Sequence, residues 1–263
     1  MIILPAVMSV TDHLKRRHAN NLLALLDTAG LTDSLDNMKS LTMFAPSEQA
    51  ISELPTAVLE GLAEDTESLK EILLHHVTDQ SRGSQELEEN SQLDTAGGHQ
   101  LRVNLHKHFG HSRAVGMVQC ARIIQTDQKV CGGTVHTIDR VLTPPKGNVL
   151  QTLQALHPKF ARLVQLSKTE AELEAGLVTV LAPLDEAFSL LDEEITDPAT
   201  AEKVVRNHLI KSPLCCASVL RASGFLHELR MRSALGETVA LHRSHGGNIY
   251  ANKAAIVRSE KVQ

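Results

Sequence analysis

The chain has 263 residues, 42% of them hydrophobic, 2% aromatic and 22% charged. That length suits two domains of about 100–150 residues, each able to bury a core of its own; with no Trp and one Tyr, those cores must be built from Leu, Val, Ile and Ala. A net charge of −5 and a pI near 6.3 argue against a general nucleic-acid-binding surface, and no apolar run approaches the ~20 residues that a membrane span requires.

The apolar opening MIILPAVMSV has no basic segment before it, is broken by Pro5, and is followed by no clear cleavage site. It reads as an extension over residues 1–9, or as a first strand, rather than as a secretion signal. Leu14, Leu22, Leu23, Leu25 and Leu26 then predict a helix closed by Gly30. The basic run Lys15–His18 reads as its solvated face. LTMF (41–44) predicts a short buried strand, after which Pro46 sets up a helix capped by Ser47. Leu69, Ile72, Leu73 and His76 fall on one helical face. Past Gly97-Gly98 the pattern changes to strands, in QLRVNLH, AVGMVQCARII and TVHTIDRVL. Helices first and strands later describe an α+β unit. TPPKGN (143–148) stops the last strand and marks a boundary, giving domains over 10–145 and 146–263.

The second half repeats the first. Pro183 matches Pro46, His208 matches His76 and Ile256 matches Ile123, at offsets of 137, 132 and 133 residues. Three landmarks in the same order at nearly constant offset mean a duplicated domain, far longer than a solenoid repeat. In the second copy, Asp185 is expected to cap the helix after VTVLAP.

Fourteen histidines raise the question of catalysis or metal. His106, His108 and His111 are the densest cluster, but no cysteine or carboxylate nearby completes a four-ligand set, and a hairpin tip explains them. His136 with Asp139 lacks a nucleophile elbow, and Ser47 is better explained as a cap. The phosphate loop, the dinucleotide fingerprint and the zinc-protease helix are all absent. No catalytic residue, metal ligand or cofactor is assigned, and the repeated histidines are expected to fix loop geometry at the core boundary.

LTMFAPSEQAI, LLHHV and GGTVHTIDRVLTPP in the first half, with VTVLAPLDEAF and RNHLI in the second, resemble the signature blocks of the fasciclin-type domain. The likeness covers about residues 10–263. It implies two tandem fasciclin-type domains, helices packed against a β-sandwich or wedge. The counterpart of GGTVHTIDRVL would begin just after Val262, so the second domain is expected to lack its final strand. The resemblance further implies an extracellular, secreted adhesion protein of the matrix that acts by contact with integrins, collagen or other matrix components. The alternative is a small-ligand or metal-binding pair that uses the histidine-rich hairpin or an interdomain cleft.

Family members place integrin contacts at the His motif, here Leu73, Leu74, His75, His76 and Val77, with Asn207, His208, Leu209 and Ile210 as the second copy. They also place them at an Asp-Ile pair, here Asp127 followed by Gln128. Core packing is the plainer reading of the first, and a solvated turn that of the second. Matrix relatives join a cysteine at the Cys120 position to one at the Cys215 position. Cys131 and Cys216 depart from that pattern and form a second candidate pair; four reduced thiols is the alternative.

Overall fold

The computed structural model describes residues 8–106, 115–145, 147–174, 177–190, 194–215 and 228–257. The chain divides between Pro144 and Pro145 into two compact units.

In the first unit, α1 (Val10–Arg16) starts at Ser9, whose hydroxyl accepts the Asp12 amide at 3.1 Å. The one helix expected across Leu14–Leu26 is two, because His18 takes φ 56° and α2 (Asn20–Thr28) begins afresh. Leu14, Leu22 and Leu26 nevertheless reach the same core. Gly30 closes α2 at φ 66°, its amide donating to the Asp27 carbonyl, and α3 (Thr32–Asp36) follows.

Every residue of β1 (Leu41–Pro46) is buried. The strand runs antiparallel to β2 (Val77–Thr78) on one side and parallel to β7 (Gly133–Ile138) on the other. A continuous apolar run suits a strand covered on both faces and both edges. Ser47 then caps α4 (Glu48–Ser52), its hydroxyl accepting the Ala50 amide at 3.2 Å. Helices α5 (Thr56–Glu64) and α6 (Thr66–His75) lead into β2. The meander β3 (Gln92–Asp94), β4 (Gln100–His106), β5 (Val115–Val118) and β6 (Ala121–Val130) returns to β7, completing a sheet of order β2-β1-β7-β6-β5-β4-β3. The apolar run AVGMVQCARII is cut by a tight turn in which Gln119 (φ 43°) and Cys120 (φ 68°) are both left-handed. One core lies under the helices and β1; the other lies inside the meander, around Phe44, Leu101, Val103 and Ile138.

The second unit opens with α7 (Val149–Leu156), which is capped at its start by reciprocal bonds between Asn148 and Gln151. Next come α8 (Pro158–Ser167), α9 (Glu170–Glu174), β8 (Thr179–Val180), α10 (Pro198–Asn207) and β9 (Leu209–Ile210). A four-stranded meander follows, β10 (Leu229–Arg232), β11 (Thr238–Arg243), β12 (Ile249–Ala251) and β13 (Ala254–Ile256). Single bridges join Thr78 to Thr95 in the first unit and Ile210 to Ser233 in the second, so the two meanders leave the helical half at matching points.

Two departures separate the copies. A 3-10 turn (Asp185–Leu190) stands where α4 stands in the first unit. Asp185 does not cap it; its carboxylate accepts the Lys159 amide at 3.2 Å and so serves the start of α8. Among the described residues β8 pairs with β9 alone, and Val178–Pro183 are half-buried where their first-unit counterparts are fully buried.

Candidate functional site

The repeated His motif begins on α6. Asp65 caps that helix, and the hydroxyl and amide of Ser68 hold its carboxyl below the usual range. At the other end of the helix, His76 is 1% exposed. The Leu142 amide donates to its Nε2 at 2.8 Å, so the proton sits on Nδ1, which donates to the Ile72 carbonyl at 2.7 Å. The His76 carbonyl in turn accepts the Phe44 amide at 2.8 Å. One residue thereby ties the end of α6 to β1 and to the segment after β7. Its neighbour His75 is also buried and donates from Nε2 to Gln119 Oε1 at 3.2 Å, beside His99, which pairs with Glu71 at 3.0 Å.

Of the five positions singled out here, Leu73, His75, His76 and Val77 lie inside, and Leu74 is half-buried. The second copy repeats the plan. His208 Nδ1 lies 2.8 Å from the Val204 carbonyl, its own carbonyl accepts the Leu181 amide at 2.8 Å, and its ring meets Phe160 edge-on. Leu209 and Ile210 are buried, His208 is half-buried, and Asn207 is exposed, accepting from the Ser233 hydroxyl at 3.2 Å.

The second constellation surrounds β6. Between Ile123 and Gln128 the register of β6 against β7 slips, and Asp127 occupies the irregularity at φ 59°. Its amide donates to His136 Nδ1 at 3.3 Å, and its carboxylate accepts the Ser84 amide at 2.7 Å and the Ser84 hydroxyl. Burial alone would raise the Asp127 pKa. The Ser84 bonds, a bond from Thr126 and nearby His136 outweigh it and leave it lowered. Asp127 is thus an exposed residue whose carboxylate already anchors the 3-10 turn at Ser84–Glu86.

His136 is wholly buried, stacked on Phe44 with ring centroids 5.5 Å apart, and donates from Nε2 to the Arg82 carbonyl at 3.0 Å. Burial pushes its pKa down, which keeps the imidazole neutral. Asp139 is not its partner. That carboxylate accepts the Arg122 amide at 2.7 Å and pairs with the Arg122 guanidinium. Gln128 accepts from buried His13 at 2.7 Å and donates to the Thr137 hydroxyl at 2.9 Å. Sequence reasoning gave no role to Ser84, Arg82, Gln119 or Leu142. They act from 43 or more residues away, and only the fold brings them together.

Cys120 and Cys215 are each disulfide-bonded. Cys131 is a free, exposed thiol at the β6–β7 turn, so the second cross-link expected there does not form. Its expected partner Cys216 lies outside the described residues, as do His108 and His111 of the histidine-rich segment. Among the described residues no three His, Cys, Asp or Glu side chains are grouped to hold a metal ion, and no helix is long and apolar enough to cross a membrane.

A family model described as the fasciclin domain matches the chain twice, over residues 17–144 and 156–263. Transforming growth factor-beta-induced protein ig-h3 of Sus scrofa is 29% identical over 203 residues, covering 73% of this chain and 29% of that protein. Periostin of Homo sapiens is 26% identical over 209 residues, covering 76% of this chain and 24% of that protein. The chain therefore spans less than a third of the length of either relative. A solved FAS1 domain pair from the insect cell adhesion molecule fasciclin I covers 93% of this chain and 92% of that chain, at 16% identity and a TM-score of 0.45.

Proposed function

Because the chain belongs to the fasciclin domain family, we propose that it is an extracellular adhesion and matrix-organising protein that binds integrins, collagen or other matrix proteins by surface contact. The observation that carries this reading is the use of the motif side chains. His76, His136 and Asp139 each spend their polar atoms on backbone groups or Arg122 inside the fold. Ser84 Oγ gives its proton to Asp127 rather than to an imidazole. A nucleophile with its base within reach, which acyl or phosphoryl transfer needs, is not assembled from these residues. Oxidised Cys120 and Cys215 suit an oxidising, extracellular compartment, and the two relatives above support a matrix setting.

Of the positions nominated for partner contact, Asp127 and Asn207 reach the surface, and Leu74 and His208 do so in part. Asp127 is the proposed integrin contact, completing the shell of an integrin-held cation. The test is attachment of integrin-bearing cells to immobilised protein, with and without EDTA, for the native chain, Asp127→Asn and Asn207→Ala. Asp127→Asn keeps an acceptor for Ser84 and removes the charge. Cation-dependent attachment that drops several-fold in Asp127→Asn supports the proposal. Attachment no better than to heat-denatured protein overturns it.

A further inference from the structure

The outer face of the second unit's meander carries a feature that the first unit lacks. The matching bridges at Thr95 and Ser233 put Gln92 and Asp94 of β3 in the places of Arg230 and Arg232 of β10. Strand alternation and the register fix what shares that face: Arg230 lies opposite Ala240, Arg232 opposite Thr238, and His242 opposite Tyr250. The other face, with Leu229, Met231, Val239, Leu241 and Ile249, packs into the core.

Arg230 and Arg232 are two residues apart, so their stems rise about 6.6 Å from one another. The Arg230 side chain is 72% exposed and only weakly held, 3.3 Å from Glu228; Arg232 donates to the Gly236 carbonyl at 2.8 Å, and Glu237 lies in the same turn. Two residues beyond Ala240 on the same face, diagonal to Arg230, His242 and Tyr250, the chain's one tyrosine, stack with centroids 5.4 Å apart and planes at 12°. His242 Nδ1 is buried and has no hydrogen-bond partner among the described residues. Across residues 228–257 four Lys and Arg stand against two carboxylates, in a chain whose net charge is −5.

From this juxtaposition of an exposed arginine pair with a stacked His–Tyr platform, we propose that the outer face of β10–β12 binds a sulfated glycan chain. Guanidinium groups match sulfate oxygens with paired donors. The aromatic pair offers an apolar surface for the C–H face of a sugar ring, with polar atoms at its edge. Charge complementarity selects a polyanion, and the oxidised cysteines place the protein where sulfated glycans, not nucleic acids, are the polyanions at hand. This inference goes beyond adhesion through Asp127 and stands or falls apart from it.

The test is titration of the whole chain with a size-defined heparin oligosaccharide over a range of salt, with unsulfated hyaluronan and a single-stranded DNA of equal charge as comparators. The expected result is binding that weakens with salt, falls at least tenfold in R230A/R232A and loses about two from its log–log salt slope. Binding should fall severalfold in Y250A, stay unchanged in Q92A/D94A, and be weak for both comparators. Unchanged thermal unfolding of the surface variants shows that the fold is intact. Absence of binding at low salt, binding that R230A/R232A leaves alone, or equal binding of the DNA overturns the proposal.

Discussion

Replacing His76 with leucine removes an imidazole of similar bulk that satisfies two backbone groups at once. The Leu142 amide loses its acceptor and the Ile72 carbonyl loses a donor, in a place that is 1% exposed. An orphaned buried backbone group costs about 1–3 kcal/mol. Allowing for the gain from a better-packed leucine, His76→Leu should cost about 3 kcal/mol, or roughly 10–15 °C in the unfolding temperature of a unit this size. The same change at His208 is the internal control. That ring is half-buried, and the bond described for it is the one to Val204. About 1 kcal/mol is expected there. Calorimetry, with hydrogen exchange on peptides from β1 and from α10 to assign each transition, separates the two. Equal losses for the two variants, or a loss below about 1 kcal/mol for His76→Leu, would refute the stapling role.

The first unit should weaken in mild acid. His136 and His13 both have pKa values lowered chiefly by burial, so below about pH 6.5 the unfolded chain takes up protons that the folded one refuses. Stability is then full above that pH and falls by up to about 1.4 kcal/mol per pH unit for a fully buried histidine, until the folded form protonates too. Urea unfolding at pH 7.5 and 5.5 checks this, and His136→Gln should flatten the slope. Asp127 shifts the other way in effect: its lowered pKa gives stability that is constant above about pH 4 and lost only in stronger acid. Gly132→Ala should be far worse than Gly30→Ala. Both glycines have positive φ, but a Cβ on Gly132 would stand 2.2 Å from the Met38 carbonyl oxygen while one on Gly30 meets nothing; the second should cost about 1–2 kcal/mol by equilibrium unfolding. Without reductant, Cys131 should be alkylated in the native protein while Cys120 and Cys215 label only after reduction, as a mass map of the digest will show.

Much of the fold was legible because its strongest signals are local. Six buried residues in a row at Leu41–Pro46, the helical spacing of Leu69, Leu73 and His76, and the serine after Pro46 each state their own structure. The breaks were not legible where the chain turns without its usual turn residues. His18, Gln119, Cys120 and Asp127 all adopt positive φ, and of these only Asp127, read from the sequence as a solvated turn, is a residue that announces one. What sustains them is tertiary: Gln119 bonds His75 and the Gln100 carbonyl, and Asp127 holds Ser84. A pattern read along the chain cannot register partners that lie 19 to 44 residues away.

The duplication separates what the fold needs from what each copy offers. Positions that close the helical half onto the meander keep their chemistry in both copies: the imidazole at His76 and His208 bonds the carbonyl four residues back, and its own carbonyl receives the next strand's amide. Removing either imidazole takes a side-chain bond from the carbonyl four residues back, at the point where the helix meets the strand. Positions on the outer face of β3 and β10 carry no such obligation. Gln92 and Asp94 could become Arg230 and Arg232 because neither pair supports a backbone group in the core. The buried histidines are therefore the wrong place to look for what distinguishes one module from the next. On the faces where the two copies differ, a change of charge leaves the fold in place.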